Sequence, residues 1–255
     1  MFSWTLTPQA PRRRPTRAGI IGLVVATLLI GIAAYAIAHA HHRPRPAVET
    51  APTAHPGRAT TSPNRVELAG VRWRDFHGVR LPYSGENGPN ATSGGRARGF
   101  SDSAGGAVFA AVHIGVRANA QWGPEIYGPT VRDQIDGPDK TALLDQLDST
   151  YEELADQAGV ASGRPVGRAY AIEKGFRVES FSPDAATVDI VTAGPGDDGS
   201  TVRVATRIQL ARRDHDWRVL APPGGDWGSS AHVIGSLDGY RSFGDQQPTD
   251  GQGDS

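Results

Sequence analysis

A chain of 255 residues, 38% of them hydrophobic, is long enough for one domain of ordinary size with accessories on either side. It contains no cysteine, which excludes disulfide stapling, a thiolate metal site and a cysteine nucleophile. The net charge of −1 hides an asymmetry, because from Val66 onward 18 basic residues stand against 26 acidic ones, a formal −8. A domain that acidic lacks the basic stripe that gripping nucleic acid requires.

The chain opens on a basic tail, residues 1–17, in which Arg12, Arg13, Arg14 and Arg17 carry all the charge. AGIIGLVVATLLIGIAAYAIA, residues 18–38, follows without a single charge. As a helix rising about 1.5 Å per residue it covers about 30 Å, one bilayer core, so the sequence predicts a transmembrane helix over 18–40. Ala38-His39-Ala40 has the small-x-small form that signal peptidase accepts. The apolar run is longer than the roughly 7–15 residues of a secretory h-region, however, so retention is expected over cleavage after Ala40. The arginines concentrated before the run place the N-terminus in the cytoplasm and the rest outside the inner membrane. His39, His41 and His42 have no supporting shell and are read as interfacial residues, not as metal ligands. Residues 41–65, dense in Pro, Ala and Thr, form an extended linker.

A folded domain is expected over 66–222. VELAGVRWRDFHGVRLPYS begins with strand-like alternation around Val71 and Trp73 and breaks at Leu81-Pro82, and GENGPNATSGG reads as a loop. A helix is expected from near Ser103. In QWGPEIYGPTVRDQIDGPD two Gly-Pro pairs before residue 130 interrupt any long helix. From Pro138, Leu143, Leu144, Leu147, Tyr151, Leu154 and Ala158 fall on one helical stripe. Asp145, Asp148, Glu152, Glu153 and Asp156 cover the opposite, solvated face, and Gly159 stops the helix. The period then changes to 2. FRVESF, ATVDIVTA, TVRVATRIQLA and WRVL read as strands, and in the third of them Val202, Val204, Thr206, Ile208 and Leu210 share one face. Helices followed by an antiparallel meander predict an α+β domain. Residues 223–255 form a Gly/Asp-rich tail with a docked piece around HVIGSLDGYRSF, and disorder is expected from about residue 244.

The two-helix lead followed by GFRVESFSPDAATVDIVTAG and VRVATRIQLARRDHDWRVL resembles the cone-like fold of the nuclear-transport-factor-2 superfamily. In that superfamily the last strand of a long hairpin begins with a Trp like that of DHDWRVL. With one membrane helix in front, the layout is similar to the bitopic scaffold subunit of type IV secretion and conjugation machines. WRDFHGVRLPYSGENGP followed by GFSDSAGGAVFAAVHI resembles a domain of actinobacterial membrane proteins associated with mobile elements. The resemblance implies helices packed on a curved antiparallel sheet behind an N-terminal transmembrane helix. It implies no particular chemistry, since the superfamily holds both enzymes and binding modules.

GFSDSAGGAVFAAVHIG contains the residues that an enzyme reading would use: Ser101 or Ser103 as nucleophile, His113 as base, and Asp102 or Asp133 to orient it. A nucleophile elbow needs G-x-S-x-G, and here Ser103 stands where the second glycine belongs. His113 would lie about ten residues into the helix, ~15 Å along its axis, out of reach of a serine at its start. A capped, buried helix accounts for more of the segment. A pocket at the open end of the cone would draw on His113 with Asp189 or Arg207, but the last two fall on outward-looking strand positions. Trp122 and Trp227, in Gly/Pro-rich loops, are the candidate partner contacts, and Trp217 belongs to the core. No catalytic, cofactor-binding or metal-ligating residue is expected. The sequence therefore predicts a single-pass membrane-anchored protein-interaction module, a scaffold or accessory part of a conjugation-like apparatus. Its partners would be the lipid bilayer, through 18–40, and other membrane or secretion-complex proteins. The alternative is a small-molecule-binding or enzymatic cone domain, which a deep opening lined by His113 and converging polar groups would favour.

Overall fold

The computed structural model describes residues 66, 68, 70–168, 171–196 and 199–243. The basic tail, the transmembrane helix expected over 18–40, the linker to 65 and the tail from 244 lie outside the described residues.

Two hairpins come first. Strands β1 (Arg72–Phe76) and β2 (Val79–Tyr83) are joined by His77-Gly78, and β3 (Ala91–Ser93) and β4 (Arg96–Arg98) by Gly94-Gly95. All four turn residues have positive φ, the requirement of the two-residue turns that match strand twist. Helix α1 (Ala104–Arg117) leads through a 3-10 turn at Ala120–Trp122 into α2 (Pro124–Gln134), the two-residue strand β5 (Ile135–Asp136) and α3 (Lys140–Ala158). Strands β6 (Ile172–Phe181), β7 (Ala185–Pro195), β8 (Thr201–Arg213) and β9 (Asp216–Leu220) form an antiparallel meander, and β10 (Ala231–Val233) follows. The main sheet has the order β5-β9-β8-β7-β6, with β5 parallel to β9 and β10 paired to β8 beyond the end of β9.

The expected fold, an N-terminal transmembrane helix ahead of a cone-like α+β domain of helices packed on a curved antiparallel sheet, is corrected by this arrangement. The described residues form a sheet-rich domain with three α-helices and strands divided among three sheets. Among them no helix is long and apolar enough to cross a membrane. Two physical reasons account for the difference. The stretch read as a strand break and a loop holds both hairpins, since Pro82 sits opposite Trp73 in a two-stranded sheet where a missing N–H is tolerated. The first Gly-Pro pair starts a helix, because Pro124 occupies the first turn of α2, where its absent N–H would have had no helical partner, and Pro129 of the second pair is carried inside that helix.

Helix α1 organises the core. It packs on β6 to β9 with one side and on β2 and β4 with the other, so all but two of its residues are buried. A helix enclosed on every side must be apolar or small all round, and AGGAVFAAVHIGVR is both. Its start is pinned by Ser103, whose hydroxyl accepts from Gly106 N at 3.0 Å. Trp217 donates from Nε1 to Ser101 O at 2.8 Å, and Asp216 accepts from the amides of Gly99 and Phe100. Gln134 anchors the second hairpin by pairing its side-chain amide with both backbone groups of Ala97.

The chain after β9 stays in the domain, which therefore extends to Phe243 and not only to residue 222. After β10 it reaches β6, where Phe176 and Arg241 exchange backbone hydrogen bonds of 2.9 and 2.8 Å. Phe243 is buried between Phe176 and Trp73, with ring centroids 5.0 and 6.0 Å away. This strap accompanies the sheet face opposite α1. There Asp189, expected to look outward, is wholly buried, taking hydrogen bonds from Arg177 at 2.7 Å and Arg207 at 2.9 and 3.1 Å, with Tyr240 stacked on Arg177.

The close seat of α1 makes a specific demand. A Cβ on Gly106 would lie 2.1 Å from Ser101 O, whereas one on Gly85 would meet open space. Gly106→Ala is expected to destabilise the domain by about 1–3 kcal/mol. Gly85→Ala should stay within about 1 kcal/mol of the wild type. Denaturant unfolding of the three proteins checks both.

Candidate functional site

A cavity of about 100 Å³ lies between α1, α3 and the main sheet. Helix α1 contributes Ala111, Val112, Gly115 and Val116, and α3 contributes Leu143, Gln146, Leu147 and Thr150. The sheet provides Glu173 of β6, Ile190 and Thr192 of β7, and Thr206 and Ile208 of β8. The loop after β9 covers it with Gly225, Trp227 and Gly228, joined by Ala231 at the start of β10. The space exists because position 115 carries no side chain; a Cβ there would touch only Ile208 Cδ1, at 3.5 Å. Gly225 lets the cover approach α3, since a Cβ on it would fall 2.4 Å from Leu143 N. Asp226 holds the next turn by accepting from Gly228 N at 2.8 Å, which fixes Trp227 in the wall.

The walls are mostly apolar, with one carboxylic acid. Glu173 is 2% exposed, and burial pushes its pKa up to about 8, so it keeps its proton at neutral pH. Its inward aim comes from a β-bulge. In the β6·β7 ladder Glu173 pairs with Thr192 and Gly175 with Val191, leaving Lys174 as an extra residue. Glu173 and Phe176 consequently share the face of Thr192 and Ile190, although strict alternation would put them on opposite faces. Gly175 completes the device, for a Cβ there would lie 2.7 Å from Arg241 O of the strap.

Sequence reasoning missed Glu173 because it read β6 only from Phe176 onward. The signal was Lys174-Gly175 inside an otherwise strand-like run, where a lone glycine marks a bulge or a close backbone approach.

The residues singled out from the sequence are not brought together. His113 lies outside the cavity, fully buried between Tyr83 and Phe100 on the side of α1 that faces β2. Its Nε2–H donates to Pro82 O at 2.6 Å, and its Nδ1 accepts from Arg117 Nη1 at 2.9 Å. Burial, reinforced by the Arg117 guanidinium, brings its pKa down to about 3, so the ring is neutral. The pocket role that the alternative reading offered His113 is thereby corrected. Trp122 is corrected as a contact residue: it is 1% exposed under the first hairpin, stacked on His77, with Nε1 donating to Val116 O at 2.6 Å. Trp227 is half-buried and forms a wall shared by the cavity and a more polar outer groove of about 620 Å³, which also takes in Arg207, Gln209 and His232. Ser101 and Ser103 bond each other at 2.7 Å, and Asp133 pairs with Arg96 and Arg98, far from any role beside His113. Burial alone would raise the pKa of Asp189, but the hydrogen bonds from Arg207 and Arg177 hold it below the usual carboxylate range. Among the described residues no group of three or more His, Asp or Glu is placed to hold a metal ion.

The family model of a domain of unknown function, DUF8175, matches residues 36–242, a span that includes every cavity wall. The chain belongs to that family. No curated protein and no solved structure matches it.

Two of the buried titratable groups, His113 and Glu173, pull stability in opposite directions. His113, with an ordinary value of 6.5 and a folded value of about 3, costs stability as pH falls from 6.5 towards 3. Glu173, with an ordinary value of 4.5 and a folded value of about 8, costs stability as pH rises from 4.5 towards 8. Each limb has a slope of up to about 1.4 kcal/mol per pH unit. Glu173→Gln should therefore gain on the wild type progressively from about pH 5 to pH 8. Denaturation midpoints across that range test this, and parallel profiles would contradict the assignment.

Proposed function

We propose that the domain binds a small, mainly apolar molecule, without covalent chemistry, in the cavity between α1, α3 and the main sheet. The observation that carries this reading is an apolar space of about 100 Å³ with a single buried carboxylic acid, Glu173, in its wall. An apolar cavity of roughly 150 Å³ inside a protein accepts a molecule the size of benzene. Drug-sized ligands ask for about 300–1,000 Å³, so this cavity suits a single ring or an equally compact group. Trp122 and Trp227, the candidate contacts of the interaction-module alternative, lie in the core and in the cavity wall, which supports the pocket better.

Fluorobenzene, followed by ¹⁹F NMR, tests the reading on the full chain. It should bind the wild type in fast exchange, and binding should weaken about tenfold or more in Gly115→Leu, whose side chain fills the space. Leucine is also the better helix former by close to 1 kcal/mol, so α1 should persist. Equal titration curves for the two proteins would overturn the proposal.

A further inference from the structure

The chemistry of the walls narrows the ligand class, and this step rests on the binding reading above. No Arg, Lys or His lines the cavity among the described residues, so an anionic ligand would enter an acidic, apolar space without a counter-charge. Among the described residues Glu173 is the only ionisable wall residue, and its 2% exposure leaves little water to solvate a charge. The remaining polar walls among the described residues, Asn119, Gln146, Thr150, Thr192 and Thr206, are neutral. An ion pair formed here would give up the hydration of both partners, a loss that the Coulomb gain commonly does no more than offset. A neutral carboxylic acid in an apolar site is a hydrogen-bond donor.

We propose that the ligand is an uncharged, ring-sized molecule carrying a carbonyl-type acceptor, and that Glu173 selects it by donating a hydrogen bond to that oxygen. The apolar walls take the ring, and Glu173 fixes its orientation. Selectivity then runs against amines and carboxylates of the same shape. Glu173 acts here as a specificity residue with no bond-making role.

The test compares cyclohexanone, cyclohexylammonium and cyclohexanecarboxylate with fluorobenzene at pH 7, each titrated by NMR against the full chain. Cyclohexanone should bind the wild type about tenfold more tightly than either charged analogue. The carbonyl stretch of bound cyclohexanone should move to lower frequency. Glu173→Gln, which retains an N–H donor, should keep most of this preference. Glu173→Leu should lose it about tenfold while still binding fluorobenzene, which reports an intact cavity. If cyclohexylammonium binds most tightly, or if cyclohexanone binds Glu173→Leu as well as the wild type, the assignment of the ligand class is overturned while the cavity remains a binding site. If fluorobenzene also fails to bind the wild type, the binding reading itself falls, and this inference with it.

Discussion

The enclosure of α1 governs the rest of the structure. A helix buried on all sides cannot present a solvated face, so each of its positions must be apolar, small or privately satisfied. Gly105 and Gly106 bring its start against Asn87 and Ser101, where any side chain would collide. His113 and Arg117, the polar exceptions, satisfy one another and the hairpin: Arg117 bonds His113, His113 bonds Pro82 O, and the guanidinium lies over the Phe76 ring at 4.4 Å. The cavity arises where that demand is absent: at Gly115 a Cβ would meet only Ile208 Cδ1, and the missing side chain leaves a gap between α1, α3 and the sheet.

A second theme is the use of side chains in place of missing ladder bonds. Gln134 pairs with both backbone groups of Ala97, Asp216 receives the amides of Gly99 and Phe100, and Trp217 reaches Ser101 O. These contacts tie segments far apart in sequence and join two-stranded hairpins to the body of the domain. Isolated hairpins are marginal in water, so β1–β2 and β3–β4 depend on such ties and on the helix they cover.

The parts of this architecture visible in the sequence are those where one local rule acts alone. The cap at Ser103, the apolar stripe of Leu143, Leu147, Tyr151 and Leu154, and the alternation in β7 and β8 all follow from period and capping chemistry. The hairpins were hidden because their strands are too short for a period to show, and their turn residues, His77-Gly78 and Gly94-Gly95, read equally well as loop. Helix α2 was hidden by its prolines. Glu173 escaped because the strand was read only from Phe176, and extending the alternation back would have put the acid on the wrong side, since a bulge reverses the facing of every residue beyond it. Asp189 does face away from α1, as alternation gives, but its burial beside Arg177 and Arg207 depends on neighbouring strands, of which alternation within one strand carries no news.

The bulge and the strap together also determine how the sheet ends. One border is β5, only two residues long, and the other is β6, which carries two register irregularities and is crossed at Phe176 by Arg241. The exposed side of β8 is taken up by β9 near one end and by β10 near the other. Long, flat, unpaired strands invite neighbouring molecules to add on, and short, bent or covered borders discourage it. The devices that turn Glu173 inward thus also guard this sheet-rich domain against joining with copies of itself strand to strand.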